Sequence, residues 1–223
     1  MTAAGCRWGT SWDLEVPLYF APSPDFVETP TLKRSNAFDI VGAECRAVRQ
    51  GVGLLDISGF SRYEVTGPNA EAWLDRIMAG KLPAPGRARL APMLGHDGRL
   101  KGDLTVLNWG DGSWWIMGSY YLRAWHMRWF ADHMEEGVHV RDLGEETCGF
   151  GLAGPKSRAV IEKLAEGPVG DLPFMGCGTF DIGLIRARVA RMSVTGELGY
   201  EINCRMGDHI ALRRALLEAG ADE

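Results

Sequence analysis

Two acidic side chains lie in segments that otherwise have the composition of strands. Asp103 is followed by Leu104 and Val106 in GRLKGDLTVLN, and Glu197 lies in VTGELGYE, where glycines indicate a tight turn. Aspartate is disfavoured in strands, and a carboxylate held there can accept a proton or stabilise positive charge. From the residues alone a structural role is favoured for both, in a solvent-facing turn or an exposed hairpin. A third acid, Asp56 in LLDISGF, is predicted to be a structural turn or cap residue.

The cysteines and histidines show no spacing that is typical of a metal or disulfide site. The five cysteines never form a CxxC pair, and their odd number argues against a disulfide framework. The five histidines show no HExxH or paired-ligand spacing. We therefore expect no bound metal. The thiols are expected to be free and buried, namely those of Cys6, Cys45, Cys148, Cys177 and Cys204.

Three glycines imitate a dinucleotide-binding motif. Gly149, Gly151 and Gly154 spell GxGxxG just before a predicted helix. That motif requires a strong apolar strand leading into its first glycine, and no such strand precedes Gly149. The corresponding segment of an internal repeat, RYEVTG, is an evident strand. GFGLAG is therefore predicted to be a strand itself, and nucleotide binding is disfavoured.

The internal repeat predicts the elements that must position the acidic residues. SRYEVTGPNAEAWLDRIMAG (61–80) and CGFGLAGPKSRAVIEKLAEG (148–167) each predict a strand, a Gly-Pro turn and a helix. A second correspondence links RARLAPML (87–94) with RARVARMS (186–193). Other helices are predicted over 36–50, Ser119–Glu135 and Asp208–Ala219, and other strands near 103–107, 114–118 and 199–204.

Two copies of a strand–helix–strand–strand unit predict an α+β fold. We expect two pseudo-repeated, mostly antiparallel sheet halves flanked by helices, with a central cleft for a ligand. The first half covers residues 35–147 and the second covers 148–223. Residues 1–34, rich in Pro, Trp and Thr and without a sustained period, are expected to form an extended N-terminal arm.

Composition and charge exclude some classes of partner. The chain has 223 residues, 46% hydrophobic and 24% charged, which is ordinary for a soluble globular protein. A net charge of -5 gives no electrostatic reason to expect nucleic acid or an anionic membrane surface. No apolar run approaches the roughly 20 residues of a membrane span, and the N-terminus lacks a signal-peptide pattern. A cytoplasmic protein is expected.

Three collinear motifs resemble the aminomethyltransferase family. They are GVGLLDISGFSRYEVTGPNAEAWLDRI, MLGHDGRLKGDLTV and RMSVTGELGYEI, and the similarity runs from about Trp8 to Gly220. That family includes the T-protein of glycine cleavage and the folate domains of dimethylglycine and sarcosine dehydrogenases. The dehydrogenase branch is the more similar, on NAFDIVGAECRAVRQGVGLLDISGF, GDLTV and VTGELGYEI.

The resemblance implies tetrahydrofolate as cofactor and one-carbon transfer from a methylated amine such as dimethylglycine or sarcosine. It places Asp103 beside the reactive N5 of the folate as the catalytic residue, where a carboxylate can accept a proton and stabilise positive charge. It makes Glu197 of the TGE motif a pterin-binding residue. A carboxylate matches the flat pair of donors formed by the pterin's 2-amino group and N3–H.

Some positions depart from the T-protein pattern. Val194 stands where that motif has tyrosine before TGE, and Phe60 takes the methionine position of DxSHM, here DISGF (56–60). Both residues keep an apolar wall that can flank a pterin ring, and both fit the dehydrogenase branch better. Leu90, in RARLAPML, is assigned to folate binding with them.

The resemblance also concerns what lies outside this sequence. Family members continue into a β-rich C-terminal domain whose arginine-containing segment helps to enclose the folate, and the dehydrogenases carry a flavin domain ahead of this module. The chain is therefore expected to be a shortened piece, a short paralogue or one subunit of a split enzyme. A methylated amine is the expected small-molecule partner, with a flavoprotein dehydrogenase and a second copy of the chain as further candidates.

Three functions stay open at this stage. The favoured one is a folate-dependent aminomethyltransferase or demethylase. The alternative is a non-catalytic folate-binding or regulatory module, because an incomplete site should bind folate weakly. A third and weaker alternative is an O-demethylase of methoxylated aromatics, since such enzymes also resemble this family.

Overall fold

Helices and antiparallel strands are interspersed along the chain. The computed structural model describes residues 1–11 and 14–221. Within this part, the α-helices are α1 (Phe38–Gln50), α2 (Ala70–Ile77), α3 (Arg123–Asp132), α4 (Ser157–Glu162) and α5 (His209–Gly220). Short 3-10 helices cover Thr2–Ala4, Tyr120–Leu122, Val169–Asp171 and Met206–Asp208. The strands are β1 (Cys6–Ser11), β2 (Leu14–Phe20), β3 (Gly53–Asp56), β4 (Ser61–Thr66), β5 (Arg87–Leu90), β6 (Met93–Leu94), β7 (Leu100–Gly102), β8 (Thr105–Asn108), β9 (Trp114–Gly118), β10 (His139–Asp142), β11 (Thr147–Ala153), β12 (Ala165–Glu166), β13 (Cys177–Ile182), β14 (Ile185–Ala190) and β15 (Gly199–Arg205).

The first large sheet has five strands in the order β10-β4-β9-β8-β5. Tyr63 and Val65 point from β4 to one face, where they pack against α2 and α3. Helix α2 contributes Trp73, Leu74 and Ile77, which recur at helical spacing and are buried. Each fully buried apolar side chain of this kind stabilises the fold by about 1.5–3 kcal/mol. The predicted strand–turn–helix of the first repeat is thus confirmed.

The second large sheet has six strands in the order β12-β13-β14-β15-β11-β3. Phe150 of β11 and Ile202 of β15 lie on the face that packs against α4 and α5, with Leu212 and Leu216 from α5. Strand β3 pairs with β11 although it precedes residue 147 in the chain. The predicted division at 147/148 therefore does not separate the strands of the two sheets completely, and as a domain boundary it stays a prediction.

The two Gly-Pro turns of the repeat have the same backbone conformation. Gly67 has φ +113 and Gly154 has φ +126, in the region that favours glycine. A Cβ on either glycine would lie 2.2 Å or 2.3 Å from a backbone oxygen. Both turns therefore require glycine. The GFGLAG segment lies within and just after β11, as predicted, and does not form a dinucleotide-binding turn.

The two large sheets contact each other through a mixed interface. Leu107, Trp115 and Met117 leave the five-stranded sheet on the face opposite its helices and pack with Cys177 and Ala190 of the six-stranded sheet. A β-bridge joins the start of β5 to the residue before β13. The predicted fold class is confirmed, with antiparallel sheets flanked by helices.

The first residues correct one expectation. Instead of a featureless extended arm, β1 and β2 form a two-stranded antiparallel hairpin within residues 1–34. Tyr19 of β2 is buried in a small cluster with Ala21, Ala37 and Phe26. The backbone N–H of Phe20 donates to the Glu44 carboxylate at 2.7 Å, which attaches the hairpin to α1.

Candidate functional site

Three of the predicted site residues lie at one end of the five-stranded sheet. The strand register pairs Ser61 with Gly118, and Thr105 with both Met117 and Leu90. These residues form a row across β4, β9, β8 and β5. Phe60 directly precedes β4, and Asp103 precedes β8 by two residues. Both residues therefore lie at the same end of the sheet as Leu90, the last residue of β5.

Asp103 lies between two strands and not within one. The predicted strand near 103–107 begins at Thr105, and Asp103 is an exposed residue after β7. Its backbone is held on both sides, since the indole N–H of Trp125 donates to Lys101 O at 3.0 Å and Ala91 N–H donates to Leu104 O at 2.8 Å. The backbone around Asp103 is thus held by these flanking contacts and not by the strand ladder that the sequence predicts.

Glu197 and Val194 lie in the loop between β14 and β15. Met175 connects the start of this loop to β5. Its carbonyl oxygen accepts from Ala88 N–H of β5, and its own N–H donates to the carbonyl oxygen of Arg191, the first residue of the loop. The Glu197 side chain is 27% exposed, and its carboxylate is 3.9 Å from the Arg49 guanidinium.

A cavity of about 620 Å³ lies next to this loop. Its walls come from the N-terminal hairpin, α1, β3, β11, β15 and α5. The apolar wall residues include Leu18, Phe20, Val48, Leu54, Phe150 and Leu217. The polar ones include Glu44, Asp56, Ser193, Thr195, Glu201 and Arg213. Of the predicted site residues, Val194 lines the cavity, whereas Asp103, Glu197, Phe60 and Leu90 do not.

Glu201 is a candidate site residue that the sequence motifs did not identify. It lies on β15 opposite Gly151, is 7% exposed and lines the cavity. Burial raises its pKa to about 7, and the nearby Arg62 charge opposes that rise. Within residues 1–11 and 14–221 we find no hydrogen bond or ion pair to its carboxylate. A glutamate in a strand is the same signal that marked Asp103, and it could have identified Glu201 in GYEI.

A buried arginine fixes the turn beside Glu201. Arg62 is fully buried, and its guanidinium donates to the carbonyl oxygens of Ile57, Ser58 and Phe60 at 2.9–3.2 Å. Its Nε donates to Asn203 Oδ1 on β15 at 2.8 Å. Burial lowers the pKa of Arg62, and the charge of the Glu201 carboxylate offsets part of this decrease. The guanidinium therefore joins the turn that carries Phe60 to the strand that carries Glu201.

Asp56 has the structural role predicted for it. One carboxylate oxygen accepts from Ser58 N–H at 2.9 Å, which closes a turn. The other lies 2.9 Å from His209 Nε2 at the start of α5. The His209 ring also stacks on Phe150, with centroids 4.7 Å apart. Asp56 thus connects an edge strand of the sheet to a helix beside the cavity.

The thiols differ from the expectation at one position. Cys6, Cys148, Cys177 and Cys204 are free and buried, whereas Cys45 on α1 is exposed. In the described part of the chain, no group of three or more His, Cys, Asp or Glu residues is arranged to hold a metal ion. Nor does a helix in that part have the length and apolar character needed to cross a membrane.

The whole chain, residues 1–223, matches the family model described as the GCVT N-terminal domain. The chain belongs to this family. Among curated proteins, this GCVT domain is 30% identical to human mitochondrial dimethylglycine dehydrogenase over 224 residues, which cover 98% of the chain and 26% of that protein. It is also 30% identical to the aminomethyltransferase of Geobacillus kaustophilus, over 82% of the chain and 51% of that protein.

Solved structures show the same fold. Aminomethyltransferase T of the glycine cleavage system from Bartonella henselae superimposes with a TM-score of 0.78 at 21% identity, over 97% of this chain and 54% of that one. A chain of heterotetrameric sarcosine oxidase from Corynebacterium sp. U-96 gives a TM-score of 0.63 at 20% identity, over 86% of this GCVT domain. The predicted family is confirmed. The chain spans about a quarter to a half of the length of the curated relatives named above.

Proposed function

We propose that this GCVT domain holds tetrahydrofolate for one-carbon transfer from a methylated amine such as dimethylglycine or sarcosine. The observation that carries the proposal is the Glu201 carboxylate, which is buried and lines a cavity of about 620 Å³. Within the described residues it has no hydrogen bond or ion pair, and only the charge of Arg62 acts on it from nearby. A buried carboxylate without a protein partner is costly unless a ligand supplies the donors. When bound, tetrahydrofolate supplies the secondary amine that accepts the one-carbon unit.

Glu201 is suited to bind the pterin ring. Its carboxylate can accept two parallel hydrogen bonds from the 2-amino group and N3–H. Gly151, directly opposite on β11, leaves room for the ring, since a Cβ added there would meet its nearest atom only at 3.5 Å. We therefore assign the pterin anchor to Glu201. Glu197, the residue proposed from the TGE motif, pairs with Arg49 at the edge of the loop.

Asp103 is proposed as the residue that handles the proton. Its carboxylate is exposed at the end of the sheet where Phe60 and Leu90 also lie. A carboxylate there can accept the proton that the secondary amine loses when it forms its new bond, and can stabilise transient positive charge. Leu90 and Val194 are 69% and 68% exposed, and we propose that they flank the bound ligand together with Phe60.

The relatives suggest the setting in which the domain acts. One is a dehydrogenase of dimethylglycine and another is part of a sarcosine oxidase, both named for methylated amines. We propose that a flavoprotein dehydrogenase supplies the one-carbon unit to this domain in the cytoplasm. Self-association through the exposed apolar side chains is a further proposal.

Calorimetry with tetrahydrofolate tests the binding role. We expect the chain to bind it, and Glu201→Gln to lose about 10–100-fold in affinity, because hydrogen bonds to a charged group contribute about 1.5–3 kcal/mol. Glu197→Gln is the matched control and should change affinity by less than about twofold, since surface ion pairs contribute little. If only Glu197→Gln lost affinity for tetrahydrofolate, Glu197 and not Glu201 would be the residue that binds the pterin ring. Absence of binding by the unaltered chain would refute the folate function.

A non-catalytic folate-binding module is the second candidate. It is favoured by the exposure of Asp103, whose side chain does not line the cavity. Asp103→Asn separates the two functions, because the substitution should leave folate binding unchanged. In an enzyme it should reduce one-carbon transfer by about 100-fold or more, the usual contribution of a proton-transfer group. Unchanged transfer would exclude Asp103 as the catalytic residue, and absence of transfer by the unaltered protein would support the binding module.

A further inference from the structure

Two buried thiols lie directly opposite each other in the six-stranded sheet. The register of β11 and β15 pairs Cys148 with Cys204, and their Sγ atoms are 3.5 Å apart. Directly opposed residues of antiparallel strands have Cα atoms about 4.5–5.5 Å apart, within the range that a disulfide spans. A shift of about 1.5 Å in the sulfur positions would bring them to bonding distance. The register of the pair is therefore compatible with a cross-strand disulfide.

The two thiols have different acidities. The hydrogen bond between the two thiols lowers the pKa of Cys148, burial acts in the opposite direction, and the Arg62 charge lowers it further. The same hydrogen bond raises the pKa of Cys204, and burial raises it further. Because the thiolate is the reactive form of cysteine, Cys148, the thiol with the lowered pKa beside the Arg62 charge, is the candidate for the first attack, and Cys204 is the candidate for the second thiol.

The pair lies close to one end of the β11–β15 ladder. Thr147 and Arg205 are the last pair of the β11–β15 ladder, and the cysteines are the next pair inward. Ends of ladders open locally at a lower free energy than central pairs. Cys45 is exposed and Cys177 is buried, and neither has a thiol contact among the described residues. These two residues provide comparisons for an accessible thiol and for a buried one.

We propose that Cys148 and Cys204 form a reversible disulfide when the protein is exposed to a peroxide. The Cys148 thiolate attacks one peroxide oxygen, the O–O bond breaks, and a sulfenic acid and hydroxide result. The Cys204 sulfur then attacks the Cys148 sulfur, the S–O bond breaks, and the disulfide forms. The hydroxide released from the Cys148 sulfenic acid combines with the proton of the Cys204 thiol and leaves as water. Two thiols lose two electrons and two protons, and one hydrogen peroxide becomes two waters.

Thiol counting and peptide mapping test the proposal in a Cys45→Ser background, which removes the exposed thiol. After treatment with hydrogen peroxide and unfolding in the presence of a maleimide, two of the four remaining thiols should be lost. In a sample without maleimide, the intact mass should fall by about 2 Da through the loss of two hydrogens, and digestion should yield one linked peptide pair joining Cys148 and Cys204. Dithiothreitol should restore all four thiols. Four thiols throughout, or equal oxidation of Cys177, would overturn the proposal.

Variants test the order of the two steps. With Cys204→Ser, the Cys148 sulfenic acid should accumulate and be trapped by dimedone, whereas Cys148→Ser should give little trapped product. Cys177→Ser is the matched control, and it should still lose two thiols and form the same linked peptides. The peptide map of the Cys45→Ser protein does not depend on whether these variants fold. Dimedone trapping at Cys204 in place of Cys148 would refute the assigned roles.

Discussion

The free energy of unfolding should fall as the pH rises from about 4.5, the ordinary pKa of a glutamate, to about 7, the pKa of folded Glu201. The residue is 7% exposed, and burial raises its pKa from 4.5 to about 7. In the unfolded chain the carboxyl group ionises near its ordinary pKa, whereas in the folded chain it stays protonated up to about pH 7. Between these values the folded state binds more protons, so acid favours folding and base opposes it.

The size of the effect follows from the shift. A pKa change from 4.5 to about 7 corresponds to about 3 kcal/mol, because each pKa unit is worth about 1.36 kcal/mol. Glu201→Gln cannot ionise, and the cost of its buried amide is the same at every pH. The free energy of unfolding of Glu201→Gln minus that of the wild type should therefore increase by about 3 kcal/mol from about pH 4 to pH 8. In a protein of this size, the difference between the two Tm values should increase by about 6–12 °C over the same range.

Urea denaturation at a series of pH values measures the difference. Plotted against pH, the free energy of unfolding of Glu201→Gln minus that of the wild type should rise and then level off above about pH 7. Other ionising groups cancel in this difference. Glu197→Gln is the control, because the side chain it alters is 27% exposed, and it should show no such rise. Parallel pH profiles for wild type and Glu201→Gln would refute the view that the Glu201 carboxylate is desolvated.

Three other substitutions follow from the contacts around the site. Arg62→Gln should destabilise the fold by about 3–5 kcal/mol in urea denaturation, because several buried acceptors lose their donor; a change below about 1 kcal/mol would contradict the buried contacts. Gly154→Ala should lower the Tm more than Gly80→Ala, since both glycines have positive φ but a Cβ meets a backbone oxygen at 2.3 Å only at Gly154; equal shifts would show that this contact costs nothing. Trp125→Phe removes the 3.0 Å hydrogen bond to Lys101 O, and should cost about 1 kcal/mol and lower one-carbon transfer more than folate binding; transfer at the wild-type rate would show that Trp125 does not position Asp103.

The repeat made most of the two large sheets predictable from the sequence. Strand, Gly-Pro and helix follow one another in both copies, and each step has a local cause: alternating apolar residues, a turn that requires glycine, and apolar residues at helical spacing. The N-terminal hairpin was not predictable in this way. Its strands are held by pairing with each other and by contacts to α1, such as the one from Phe20 N–H to Glu44, and neither leaves a periodic signal in the sequence.

The environment of Asp103 shows what local patterns omit. The run DLTVL predicts a strand that includes the aspartate, but the β5–β8 ladder ends at the pair Leu90–Thr105. The chain beyond that pair is fixed by the helix side chain Trp125 and by Ala91. Both contacts depend on tertiary packing, so the sequence could indicate an unusual aspartate without showing that it follows a strand end.

The two glutamates of VTGELGYE have different environments that only the folded structure reveals. They are four residues apart in one motif, and the sequence offers no local reason to prefer either as a ligand. The structure distinguishes them, because Glu201 pairs with Gly151 on a buried strand and lines the cavity, while Glu197 lies in the loop before the strand. Gly151 comes from the segment that imitates a dinucleotide-binding motif, and its missing side chain leaves space beside the carboxylate. In the proposed site, the second glycine of that misleading pattern acts as a neighbour of Glu201 and not as part of a phosphate-binding turn.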